Sequence, residues 1–93
     1  MKNLLWYLVA GTRGGETRAR IIQSIQKKPK NANQIAKSLS LDYKTVQHHL
    51  NILVENNVFS TIKKGSYGAM YFLSEEMEHN MDTFREIWKR FGK

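Results

Sequence analysis

The stretch from Asn31 to Leu53, "NANQIAKSLSLDYKTVQHHLNIL", limits the fold of this chain more than any other. It carries two apolar stripes with helical spacing: Ile35, Ala36 and Leu39, then Val46, Leu50 and Leu53. Only Leu39 to Asp42 separates them, so the two helices must turn sharply against each other. Asn31 or Asn33 suits the first helix as an N-cap. Asp42 suits the second, where its carboxylate also favours the positive end of the helix dipole.

The flanks extend this unit. "GTRGG", residues 11–15, breaks regular structure, and a helical pattern starts at Glu16, with Ala19, Ile21, Ile22 and Ile25 on its apolar side. Pro29 stops it. After "ENN" the period changes. "VFSTIKK" and "AMYFLS" read as strands around the turn "GSYG", which makes a β-hairpin. Ser74, Glu75 and Glu76 open a last helix, with Lys89 and Arg90 near its end. The expected fold class is α+β, mainly helical: a winged helix-turn-helix with N-terminal and C-terminal dimerisation elements. A chain of 93 residues is read as one domain. It divides into a packing segment, 1–10, a winged-helix core, 16–74, and a dimerisation helix, 75–91.

Charge and composition narrow the function. Fifteen Lys and Arg against eight acids give +7, which points to a polyanion and to nucleic acid first. No cysteine is present, which removes disulfides, thiolate metal sites and cysteine nucleophiles and fits a cytoplasmic location. "LLWYLVA" is too short to span a bilayer. Neither a catalytic set nor a cofactor motif stands out; "GTRGGETR" does not match a phosphate-binding P-loop. The expectation is a non-enzyme with no cofactor and no metal. His48 and His49 point about 100° apart on a helix and cannot chelate one ion together. His49 borders the core and is read as structural; a histidine-only metal site would have to be shared across a dimer.

At this point the chain resembles a known family. "NANQIAKSLSLDYKTVQHHLNILVENNVF" followed by "KKGSYGAMYFLS" looks like the ArsR-type winged-helix regulators, most of all their small archaeal members. The core of the resemblance is T-V-x-x-H-L-x-x-L, here Thr45, Val46, His49, Leu50 and Leu53. It implies a homodimeric transcription factor that binds DNA, with Gln47 and His48 toward the double helix. The metal sensors of that family depend largely on cysteine, which this chain lacks.

The residues themselves agree with that reading. Gln47 and Asn51 are suited to adenine in the major groove, and His48 to a base acceptor. Tyr43, Lys44 and Thr45, near the helix start, complete the expected DNA-facing set, with Tyr43 and Lys44 on phosphates. Lys63, Lys64 and Tyr67 belong to the wing and flanking DNA, unless the tip is only what a hairpin requires. Arg13 and Arg18 are assigned to a DNA phosphate at the Gly-rich loop, the alternative being a plain linker. Met77, Met81, Phe84, Trp88 and Phe91 recur at heptad-like spacing. With Leu5, Trp6 and Leu8 they are expected to pair two subunits, unless both segments fold onto their own core. The competing function is a winged-helix protein-interaction module without specific DNA binding.

Overall fold

The computed structural model describes residues 1–63 and 68–92. Helix α1, Lys2–Leu5, runs on as a π-helical stretch, Trp6–Ala10. There follow α2 (Gly15–Lys27), β1 (Lys30–Asn31), α3 (Ala32–Leu39) and α4 (Tyr43–Glu55). Strands β2 (Phe59–Ile62) and β3 (Met70–Leu73) come next, then α5 (Glu75–Glu78) and α6 (Met81–Phe91).

Local chemistry sets most of these boundaries. At Lys28, just before Pro29, the backbone leaves the helical region. Asn31 forms a capping box with Gln34: Asn31 Oδ1 accepts from the Gln34 amide at 2.8 Å, and Gln34 Oε1 accepts from the Asn31 amide at 2.9 Å. Ser40 ends α3 in the left-handed region. Asp42 Oδ2 then accepts from the amides of Lys44 at 2.9 Å and Thr45 at 3.2 Å, which starts α4.

The sheet has the order β1-β3-β2 and is antiparallel throughout. Phe59 faces Leu73 and Ile62 faces Met70 across the expected hairpin. The third strand was not expected. Lys30 and Asn31, too short to show an alternation, pair with Tyr71 and Met70.

The last helix also differs from expectation: it is two helices. Asn80 Nδ2 donates to the Glu76 carbonyl at 2.8 Å, the group that the Asn80 amide would use in a continuing helix. That amide turns to the Met77 carbonyl instead. The side chain thus competes with the backbone and breaks the helix.

One core joins all layers: Leu5 of α1, Ile21 and Ile22 of α2, Ile35 of α3, Leu50 and Leu53 of α4, Phe59 of β2, and Phe84 and Ile87 of α6. This corrects part of the expected dimer contact. Leu5, Leu8, Met77, Met81 and Phe84 are at most 5% exposed in the single chain, so they are spent on its own core. Trp6 and Trp88 are half-buried and Phe91 is exposed. Trp6 and Phe91 meet edge to face at 5.4 Å, and the Arg90 guanidinium lies 5.9 Å from the Trp6 ring.

Candidate nucleic-acid interface

Helix α4 packs on α2, α3 and β2 through Val46, His49, Leu50 and Leu53, all buried. Its other side is polar. Tyr43, Lys44, Thr45, His48 and Asn51 are exposed and Gln47 is half-buried. The structure therefore brings the expected helix residues together on one outward face.

Gln47 does not hang free. Its Nε2 donates to Asn51 Oδ1 and to Tyr71 Oη, each at 3.2 Å. Tyr71 comes from β3 and is 4% exposed. The sequence reading missed it; its alternation within "AMYFLS" was the available signal. This tyrosine ties the wing to α4 and holds the amide of Gln47.

The wing is described in part. Lys63 is exposed at the end of β2, with a left-handed backbone. Lys64 and Tyr67, expected to touch flanking DNA, lie outside the described residues.

The Gly-rich loop has a different logic from the one expected. Gly14 has φ +88°, and a Cβ there would stand 2.8 Å from His49 Cε1. A Cβ on Gly15 would stand 2.0 Å from the Val9 carbonyl oxygen. Both glycines allow the N-terminal segment to lie against the domain. Arg13 is exposed and stays available to a phosphate. Arg18 is not: it is 4% exposed. Its Nε donates to the Leu8 carbonyl at 2.8 Å, Nη1 to His49 Nδ1 at 3.2 Å, and Nη2 to Thr12 Oγ1 and to the Arg13 carbonyl. The expected phosphate contact at Arg18 is therefore corrected to an internal bond between the N-terminal segment and α4.

That bond fixes the state of His49. Nδ1 accepts, so the neutral ring carries its proton on Nε2. Burial, then the charge of Arg18 and the neighbouring His48, pushes its pKa below the ordinary histidine value. His49 is thus the structural histidine expected. The rings of His48 and His49 lie 5.1 Å apart, and no cluster of three metal-ligating side chains occurs among the described residues.

Charge is unevenly spread along the chain. Before Glu55, nine lysines and arginines stand against two acids; from Glu55 onward there are six of each. The whole excess thus falls on the part that contains α2, α3 and α4. No described helix is long and apolar enough to cross a membrane.

A helix hairpin with an exposed polar second helix, followed by a two-stranded wing, is the winged helix-turn-helix fold. Residues 15–58 match the family described as bacterial regulatory protein, arsR family. The fold agrees with solved structures. The transcriptional regulator YodB from B. subtilis, in its reduced form, superposes with a TM-score of 0.70 at 19% identity, over 89% of this chain and 81% of that one. A Pseudomonas aeruginosa protein described as a probable transcriptional regulator gives 0.69 at 16% identity, over 96% and 72%. The adhesin competence repressor AdcR from Streptococcus pyogenes gives 0.58 at 18% identity, over 95% and 75%. These neighbours are regulators rather than enzymes. No curated protein matches the chain.

Proposed function

We propose that this protein is a regulator of transcription that binds double-stranded DNA as a homodimer and reads its sequence. The observation that carries the proposal is the outward face of α4, where Gln47 is held between Asn51 and Tyr71 beside exposed Lys44, Thr45 and His48. An α-helix fits the major groove, and an oriented amide can pair with adenine there. Tyr43, Lys44 and Arg13 supply phosphate contacts, and Lys63 reaches flanking DNA. The excess positive charge of residues 1–54 supports the same reading.

The homodimer rests on the apolar residues that the core does not absorb. Trp6, Trp88 and Phe91 remain at least partly outward. Pairing through α1 and α6 would present two copies of α4 to successive major grooves, about 34–36 Å apart. A cytoplasmic location belongs to the same proposal. The likeness to small archaeal members gains no support from the neighbours above, whose named sources are bacterial.

The test is fluorescence anisotropy with a labelled mixed-sequence duplex of about 30 base pairs at several salt concentrations. Log affinity should fall linearly with log salt, with a slope of several units, and site selection from a random pool should then yield a two-fold symmetric site. Absence of binding at low salt sinks the DNA reading and leaves a protein-interaction module as the alternative.

A further inference from the structure

A cleft of about 320 Å³ opens between the N-terminal segment and α4. Leu8 and Ile52 give it an apolar lining, to which Tyr7 adds an aromatic ring. Arg13, Arg18 and His48 bring positive or protonatable groups to it, and no acidic side chain lines it among the described residues. The volume lies within the range of small-molecule sites, and so does the mixture of apolar surface with a few directed polar groups.

Arg18 makes this cleft unusual. A guanidinium that is 4% exposed normally has a carboxylate beside it. Here every partner is neutral: two carbonyls, a hydroxyl and an imidazole nitrogen. Its positive charge is hydrogen-bonded but not compensated. A second cleft, of about 340 Å³, also gathers cations, Arg20, Lys27 and Lys30. There Arg20 donates to the Leu39 carbonyl and Lys30 to the Ser24 carbonyl, at helix ends whose dipoles already balance charge.

We infer that the cleft between the N-terminal segment and α4 binds a small organic carboxylate, with its apolar body on Leu8, Ile52 and Tyr7 and its charge toward Arg13 and Arg18. The apolar lining favours such a ligand over a bare phosphate, which has no body to bury. Two residues of the site, Arg13 and His48, also belong to the proposed DNA-binding surface. A bound carboxylate draws both away from DNA and neutralises charge there. By linkage, ligand and DNA weaken each other. This second half rests on the proposed DNA binding; the first half does not.

The experiment is an amide-resolved NMR titration of the full chain with sodium benzoate, in the absence of DNA. Benzoate should shift the amides of Tyr7, Arg13, His48 and Ile52 saturably and as one set. Arg13→Gln should weaken binding about tenfold, the worth of one charged hydrogen bond. Benzamide, the uncharged isostere, should bind at least as much more weakly. Three results overturn the inference: no saturable shift at these amides, equal binding of benzamide, or saturation by inorganic phosphate with none by benzoate. Saturating benzoate should then lower affinity in the anisotropy assay several-fold. If DNA binds and benzoate leaves its affinity unchanged, the coupling is wrong. If DNA never binds, the DNA reading fails while the carboxylate site stands or falls on the titration alone.

Discussion

Replacing Arg18 with methionine tests the bond between the N-terminal segment and α4. Methionine keeps much of the aliphatic stem and removes every donor. Two acceptors suffer most: the Leu8 carbonyl, which takes the Nε–H at 2.8 Å, and His49 Nδ1, which takes an Nη1–H at 3.2 Å. A buried acceptor left unpaired costs about 1–3 kcal/mol, so two cost about 2–6 kcal/mol. Removing a desolvated charge with no counter-ion offsets part of that. The expected net loss is about 3 kcal/mol. In a domain of this size each kcal/mol moves the melting temperature by about 4–8 °C, so Tm should fall by more than about 10 °C. Urea denaturation followed by circular dichroism gives the free energy directly. Arg13→Met, at an exposed position five residues earlier in the Gly-rich loop, is the control and should change stability by less than about 0.5 kcal/mol. If Arg18→Met behaves like the control, the guanidinium contributes nothing net and the structural role assigned to it is wrong.

Acid should destabilise the protein through His49. Burial first, then Arg18 and His48, holds its folded-state pKa below the ordinary value of about 6.5. The unfolded chain therefore takes up the proton first. The stability is full above about pH 6.5 and is lost as pH falls toward the folded-state value. Urea midpoints from about pH 8 to 5 should show this, less steeply in Arg18→Met; a flat profile contradicts it. Gly15→Ala places a Cβ 2.0 Å from the Val9 carbonyl and should cost at least about 2 kcal/mol, whereas an unchanged melting temperature would mean that the N-terminal segment is not held there. Asp42→Ala removes the acceptor for the Lys44 and Thr45 amides and should cost about 1 kcal/mol, with Asp42→Asn near native in the same denaturation assay. Tyr71→Phe removes the hydroxyl that Gln47 reaches; site selection should show weaker preference at the base pair it faces, and an unchanged selected sequence argues against that role.

The parts of the fold legible in the sequence are those set locally. Asp42, Asn31 and Pro29 act on neighbouring backbone, and the stripes of α3 and α4 repeat often enough to be recognised. Strand β1 is different: two residues have no period, and their pairing with Tyr71 and Met70 is set by the finished sheet. The break at Asn80 depends on one side chain that outcompetes its own amide. Arg18 was misassigned because arginine suggests solvent. Its position told otherwise: Ile21, Ile22 and Ile25 follow at i+3, i+4 and i+7, which places it on the buried side of α2. Leu5, Leu8, Met77, Met81 and Phe84 differ from the dimer reading for a related reason: they line the chain's own core. An apolar stripe shows that a face is covered, not whose chain covers it. The outward residues of α4, Tyr43, Lys44, Thr45, His48 and Asn51, are legible because they fall away from the stripe of Val46, Leu50 and Leu53, whereas Gln47 is half-buried and His49 buried beside that stripe. Tyr71 was missed because its partner is 24 residues away.

The N-terminal segment is where these arguments meet. One side packs on α6, through Trp6 against Phe91. Another offers the Leu8 carbonyl to Arg18, which in turn holds His49 of α4. The surface proposed for pairing subunits and the helix proposed to read DNA are thus joined through one short segment, by an apolar contact on one side and a buried hydrogen-bonded guanidinium on the other. Apolar contacts tolerate small slides because they have no direction. The guanidinium does not, since its donors meet acceptors on three elements at fixed angles. A displacement of the segment is therefore resisted more by its bond to Arg18 of α2, which also holds His49 of α4, than by its packing on α6. In the proposed homodimer, movement of one subunit against the other should carry the segment and α4 together.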